Sequence, residues 1–196
     1  MSLGTIDPTA YELGGNLDLS DPRVRRLDAW ANHGNMRLRM PFMTQVAENL
    51  WHGGVERGMV LPDFVQFKLS LYPWEDYAIR HNVETRTVEM YDSLDQGFEQ
   101  IAELAEWVNA RRLIGPVFVH CQAGLNRSSL VVAAALVGLG DVETGQEAID
   151  LIRRKRDAAC LCNPAFERWV QTALPTEVSG WPVPRSSDSS STGGQP

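Results

Sequence analysis

The sequence predicts an α/β fold, a central, mostly parallel sheet of four to five strands flanked by helices. Two observations carry that expectation. Short runs rich in β-branched and aromatic residues are interleaved with amphipathic helical runs, the order that lays helices against a parallel sheet. One run, "GPVFVHC", is apolar throughout after a Gly-Pro break, which suits a strand covered on both faces. The chain has 196 residues, 43% hydrophobic and 22% charged, enough to bury a core without cross-links.

Residues 1 to about 35 mix turn formers with few periodic apolar positions, and the stretch 1–45 stands apart from the domain that follows. That stretch is expected to form an N-terminal extension, partly irregular, with a short helix around Pro22 to Trp30. The domain proper is expected over 46–176. It opens with "ENLWHGG", a strand over Asn49 to His52 stopped by Gly53 and Gly54. "FVQFKLSL" alternates as a second strand, and the β-branched "TRTVEMYD" is a third. In "FEQIAELAEWVNARRL" the apolar residues Phe98, Ile101, Leu104, Ala105 and Val108 recur at helical spacing.

After the buried strand, "SSLVVAAALVGLG" is apolar nearly all round and predicts a buried helix ended by Gly138 or Gly140. "DVETGQEAIDLIRRKRD" places acids early and bases late, matching a helix dipole. "NPAFERWVQTAL" predicts a last helix with Asn163 as N-cap and Pro164 at its first position. Residues 177–196, Ser/Gly/Pro-rich from about Pro182, are expected to be a disordered tail.

The formal net charge of −7 lacks the broad basic footprint of a nucleic-acid or anionic-membrane binder. No apolar run reaches the length of a membrane span, and no signal pattern opens the chain, so a cytoplasmic setting is expected. There the three cysteines are to be weighed as core filler, metal ligand or nucleophile before disulfides.

The chemistry gathers in "VHCQAGLNRSS", Val119 to Ser129. Ligands of parallel α/β folds bind at the carboxyl ends of strands, and Cys121 stands at such an end. A loop between strand and helix can turn the backbone N–H groups of Gln122, Ala123, Gly124, Leu125 and Asn126 toward one point, next to a helix N-terminus. That field favours the thiolate form of Cys121. Gly124 permits a close turn, and Arg127 offers a planar fork matched to two phosphate oxygens. A tetrahedral oxyanion held above a sulfur nucleophile suits phosphoryl transfer to sulfur. Taken singly, Cys121 is more simply filler, His120 a core histidine and Arg127 a solvated helix-start residue. The combination, in strand–loop–helix context, outweighs those readings.

"HCQAGLNRS" resembles the H-C-x5-R-[S/T] signature of the cysteine-dependent protein tyrosine phosphatase superfamily, and "HCQAG" the dual-specificity branch. "ENLWHGG" is similar to the strand that opens these domains, "VEMYD" to the strand leading to the general-acid loop, and "CNPAFERWVQTAL" to the closing helix. The Lys-Asn-Arg-Tyr segment of the tyrosine-only branch is absent, which argues for a site accepting several phosphoesters.

The resemblance implies roles. Cys121 attacks phosphorus and forms a phosphocysteine, with Arg127 and the loop amides holding the oxygens. Ser128 assists hydrolysis of the intermediate, His120 orients the loop, and Asn163 supports the site. The leaving group needs a proton, and Asp92 is the expected general acid, with Asp95 as rival. No metal or cofactor is required, and the expected partner is a phosphorylated protein or peptide. RNA 5′-triphosphatase and phosphoinositide phosphatase are alternatives within the superfamily. A phosphate-binding pseudophosphatase is the alternative from another class.

Three features stay ambiguous. "YPWEDY", Tyr72 to Tyr77, either lines the rim or anchors a turn. "RRKR", Arg153 to Arg156, reads best as solvated charge at a helix C-terminus. Cys160 and Cys162 lack partners for a zinc site and read as structural.

Overall fold

A computed structural model describes residues 26–33, 36–55, 59–74 and 77–174, with the backbone alone over 26–42. Among the described residues ten elements follow in chain order: β1 (Arg26–His33), β2 (Met36–Ala47), β3 (Leu50–Gly53), β4 (Phe67–Ser70), β5 (Glu84–Thr87), α1 (Ile101–Arg112), β6 (Val117–His120), α2 (Arg127–Leu139), α3 (Gly145–Lys155) and α4 (Pro164–Ala173). The strands form one sheet in the order β1-β2-β3-β6-β4-β5. β3, β6, β4 and β5 run parallel, which is the expected core of the sheet. β1 and β2 add an antiparallel hairpin at one edge.

That hairpin corrects the expectation for the N-terminal stretch. Residues 26–30, expected in a short helix, are strand, while 22–25 lie outside the described residues. The ladder to β2, which is itself paired with β3, supplies the reason, because backbone pairing with a formed strand overrides weak local pattern. The turn from β2 to β3 uses Asn49 at φ 53°, a conformation asparagine tolerates, and its amide donates to the Arg112 carbonyl at 2.9 Å. The tail at 177–196 also lies outside the described residues.

The third strand ends early, at Thr87; Val88 N still donates to Ser70 O at 2.8 Å, and residues 89–92 leave the ladder. Met90 stays fully buried and Tyr91 exposed, which mimics strand alternation in the sequence. The Met90 carbonyl bonds to Arg127 at 3.1 Å, which fixes this segment over the loop that follows β6.

Each face of the sheet has its own core. Leu50, Leu69, Val117 and Val119 pack with α2 and residues of α1, α3 and α4. Trp51 and Phe118, one position over on their strands, pack with Met59, Leu61 and Val65 on the other face. Helix α2 is buried nearly all round and ends at Gly140, whose φ of 81° is left-handed. Helix α3 begins with a Thr144–Glu147 capping box. Asn163 caps α4, and Pro164 fills its first position, both as expected. Among the described residues no helix is long and apolar enough to cross a membrane.

Candidate active site

β6 lies in the middle of the parallel strands, and Cys121 follows its last residue. The loop from Cys121 to Asn126 then enters α2 at Arg127. Its shape can be read from its carbonyls. Gln122 O accepts from Val55 N at 2.9 Å, Ala123 O and Gly124 O from Arg156 at 3.1 and 2.7 Å, Leu125 O from Leu161 N at 2.8 Å, and Asn126 O from Leu130 N at 2.9 Å. Five successive carbonyls are thus tied away from the loop's centre. In a trans peptide the next residue's N–H points opposite to each carbonyl. The N–H groups of 123–127 therefore face the other side, and the Gly124 N–H meets Cys121 Sγ at 3.3 Å. The result is an anion-binding concavity continuous with a helix N-terminus.

Two glycines make this approach possible. Gly124 has φ 69°, and a Cβ there would stand 2.3 Å from the Gly53 carbonyl carbon. A Cβ at Gly54 would stand 2.6 Å from the carbonyl carbon of Ala123.

Cys121 is buried, and its Sγ lies 3.3 Å from Ser128 Oγ. Arg127 spends one terminal nitrogen on Met90 O, and its guanidinium stands over the Tyr72 ring at 5.6 Å. Its Nε is buried without a hydrogen bond. Asn126 occupies the N-cap position of α2 but does not cap it. Its Nδ2 donates to Asp92 Oδ2 at 2.8 Å, and its Oδ1 accepts from Asn163 N at 3.0 Å. Asn163 Nδ2 donates to Asp92 Oδ1 at 2.9 Å. Both carboxylate oxygens of Asp92 are thereby held, one from the loop and one from the cap of α4. Asp92, Gln122, Asn126, Arg127, Cys162 and Asn163 line one cleft of about 490 Å³. Asp95 is exposed and does not line it.

His120 is fully buried, stacks on Phe118 at 5.0 Å, and pairs through Nε2 with Tyr77 OH at 2.8 Å. The aromatic segment divides between its two readings. Tyr77 anchors His120, whereas Trp74 is 56% exposed and stands edge-on to Tyr72, 5.5 Å between centroids. Of the last two cysteines, Cys160 is buried, and burial pushes its thiol up. Cys162 is exposed in the cleft.

Two residues that reasoning from the sequence passed over support the loop. Arg156, read as solvated charge, is 1% exposed; besides the two loop carbonyls it reaches Thr44 Oγ1 and His52 O, each at 3.4 Å. A signal existed, for Arg156 continues the buried stripe of Ile149 and Ile152 at helical spacing. His52, at the end of β3, is fully buried with Nε2 3.0 Å from Ser128 Oγ. Nothing in "LWHGG" pointed to that contact.

A family model described as the dual specificity phosphatase catalytic domain matches residues 66–173. The chain belongs to the dual specificity phosphatase family. No curated protein matches it. Several solved structures share the dual specificity phosphatase fold. The human tyrosine phosphatase-like serine/threonine/tyrosine-interacting protein aligns at TM-score 0.55 and 14% identity, over 65% of this chain and 92% of that one. Human DUSP28 aligns at 0.53 and 19%, over 68% and 95%. The tyrosine phosphatase OH1 from the Orf virus, described as having triple substrate specificity, aligns at 0.51 and 16%, over 65% and 83%. At these identities the likeness is one of fold.

Proposed function

We propose that this dual specificity phosphatase domain is an active, metal-independent enzyme that hydrolyses phosphotyrosine, with phosphoserine and phosphothreonine as further substrates, through a phosphocysteine on Cys121. The observation that carries the proposal is the loop after Cys121, whose carbonyls are held outward and whose Gly124 N–H meets Cys121 Sγ, and whose residues Gln122, Asn126 and Arg127 line a cleft together with Asp92.

In the first step Cys121 Sγ attacks phosphorus in line. Arg127 and the loop amides take the equatorial oxygens, where charge is held in the transition state. Asp92 gives its proton to the departing oxygen, from a carboxyl positioned by Asn126 and Asn163. In the second step Asp92 accepts a proton from water, which attacks phosphorus as the bond to sulfur breaks. The Ser128 hydroxyl, 3.3 Å from Sγ, stabilises the thiolate that leaves.

Among the described residues lining the cleft, Arg127 is the one cation. One guanidinium suits a single phosphate, so a phosphomonoester is favoured over the triphosphate end of RNA or a polyphosphorylated inositol. A pseudophosphatase reading is disfavoured because the chain keeps all three of nucleophile, arginine and acid: Arg127 and Asp92 line one cleft, and the buried Cys121 opens the loop that leads to Arg127. A phosphorylated peptide is the proposed partner.

The test is hydrolysis of p-nitrophenyl phosphate in EDTA. Wild type should turn over and be inhibited competitively by vanadate. Cys121→Ser should be inactive, and Arg127→Lys severely impaired, because an ammonium cannot reproduce the fork. Activity in Cys121→Ser equal to wild type, or activity lost in EDTA and restored by metal, overturns the proposal.

A further inference from the structure

Beneath the loop lies a short relay of side chains. His52 Nε2 is 3.0 Å from Ser128 Oγ and 3.3 Å from Ser129 Oγ. Ser128 Oγ is in turn 3.3 Å from Cys121 Sγ and 3.4 Å from Gly53 O. The protons in this group can be assigned by elimination. Ser129 Oγ also meets the Cys160 thiol, but it stands 2.6 Å from Leu125 O, a carbonyl that only accepts and a better acceptor than sulfur, so the Ser129 proton lies there. Toward His52, Ser129 is therefore an acceptor, and Nε2 must carry the hydrogen. His52 Nδ1 is buried with no partner. A bare lone pair there costs less than an orphaned N–H, which points to the same tautomer.

With Nε2–H donating to Ser128 Oγ, the Ser128 proton is directed elsewhere. Its two acceptors are Gly53 O and Cys121 Sγ, and a thiolate, being charged, takes it in preference to a neutral carbonyl. The imidazole also stays neutral, since burial and the neighbouring Arg156 guanidinium hold His52 well below its ordinary range. Protonation would only add a second buried N–H with nothing to meet.

The geometry points to His52 as a positioning residue that turns the Ser128 hydroxyl onto the sulfur of Cys121 and so speeds breakdown of the phosphocysteine. This inference rests on the phosphocysteine reading above. In the step concerned, water oxygen bonds to phosphorus and the P–S bond breaks with its electron pair on sulfur. The water proton passes to the Asp92 carboxylate. The Ser128 proton stays on Ser128, hydrogen-bonded to the sulfur whose charge grows.

Stopped-flow release of p-nitrophenol from p-nitrophenyl phosphate separates formation of the intermediate from its breakdown. His52→Leu should slow breakdown about three- to tenfold, the range one net hydrogen bond covers, and leave formation near wild type, so a burst appears. His52→Gln, which restores an N–H donor, should recover most of the rate. In a Ser128→Ala background His52→Leu should add nothing, because the effect runs through that hydroxyl. A wild-type breakdown rate in His52→Leu, or losses that multiply in the double variant, overturns the inference. Should His52→Leu not fold, nitrogen-15 spectra of the wild-type imidazole decide the matter. The Nε2–H tautomer supports the relay, and an Nδ1–H tautomer overturns it. The parent reading has its own signature: a phosphate trapped on Cys121 in Ser128→Ala, seen by mass. Its absence would refute that reading and leave the tautomer result standing.

Discussion

Asn126 donates from Nδ2 to Oδ2 of Asp92 at 2.8 Å. The amide belongs to the loop that surrounds Cys121, and the carboxylate to the segment that leaves β5. The phosphate-facing loop and the proposed acid are thus one hydrogen-bonded unit. Asn126→Ala should loosen Asp92 while Asn163 still holds its other oxygen. kcat on phosphotyrosine should fall about tenfold, near the low end for a hydrogen bond to a charged group. The inhibition constant for vanadate should hardly move, because Arg127 and the amides are untouched. Parallel kcat and vanadate titrations check this, and an unchanged kcat would show that Asp92 needs no help from the loop.

The identity of the acid can be tested by leaving group. Asp92→Asn should cost about 10²- to 10⁴-fold on phosphotyrosine and alkyl phosphates, the usual span of general-acid catalysis. An aryl phosphate whose leaving group scarcely needs a proton should suffer much less. Asp95→Asn should keep near-normal rates on both, since Asp95 is exposed outside the cleft. The ratio of kcat/KM on the two substrates reports the result, and the opposite assignment follows if Asp95→Asn changes that ratio.

Arg156 should prove a stability residue despite its place in a basic run. Replacing it with leucine leaves the Ala123 carbonyl without its partner and the Gly124 carbonyl with only the weak Cys160 thiol at 3.8 Å, a loss on the order of 3 kcal/mol. Arg154, exposed one turn-side away on the same helix, should be neutral to within about 0.5 kcal/mol when changed to alanine. Urea unfolding followed by circular dichroism measures both, and equal effects would contradict the buried role.

His52 gives a pH dependence of stability with a definite sign. Its folded-state pKa is depressed by burial and by Arg156, whereas the unfolded value is the ordinary 6.5. As pH falls below 6.5 the unfolded chain takes up a proton that the folded chain refuses. Stability is therefore full above that value and lost on acidification, at about 1.4 kcal/mol per pH unit within the window. Below the folded-state value the loss stops growing. His52→Gln cannot titrate, so its stability should be flatter than wild type between pH 6.5 and 5.5. Thermal melts across that interval test the difference; parallel curves would place the charge change elsewhere.

Much of this arrangement was legible in the chain. Cys121, Gly124, Arg127 and Ser128 are read from one local pattern, because a loop that wraps an anion needs a fixed spacing. Asn163 and Pro164 are likewise local, a cap followed by the one residue that lacks a donor. What escaped is non-local. The N-terminal hairpin takes its strands from the pairing of β1 with β2 and of β2 with β3, and its own residues alternate poorly. The end of β5 was overrun because Met90 and Tyr91 alternate buried and exposed outside any ladder. His52 meets Ser128 across 76 positions, and a lone histidine before two glycines carries no trace of that partner. Asn126 is read from the sequence for its backbone N–H in the anion cradle; the bond of its side chain to Asp92 depends on how two distant loops meet.

The outward carbonyls of the loop have a consequence for the order of assembly. Their partners come from Val55, near the start of the parallel strands, and from Arg156 and Leu161, after α3. Leu161 makes its bond at φ 58°, a left-handed backbone that persists only where its surroundings enforce it. The loop acquires its shape only after chain closures of large sequence separation, which fold slowly. It should be last to form and first to open. Under rising denaturant, catalysis is then expected to vanish before helical ellipticity does, as a local opening that leaves α2 packed. Simultaneous loss of both signals would mean that the loop and the core melt as one cooperative unit.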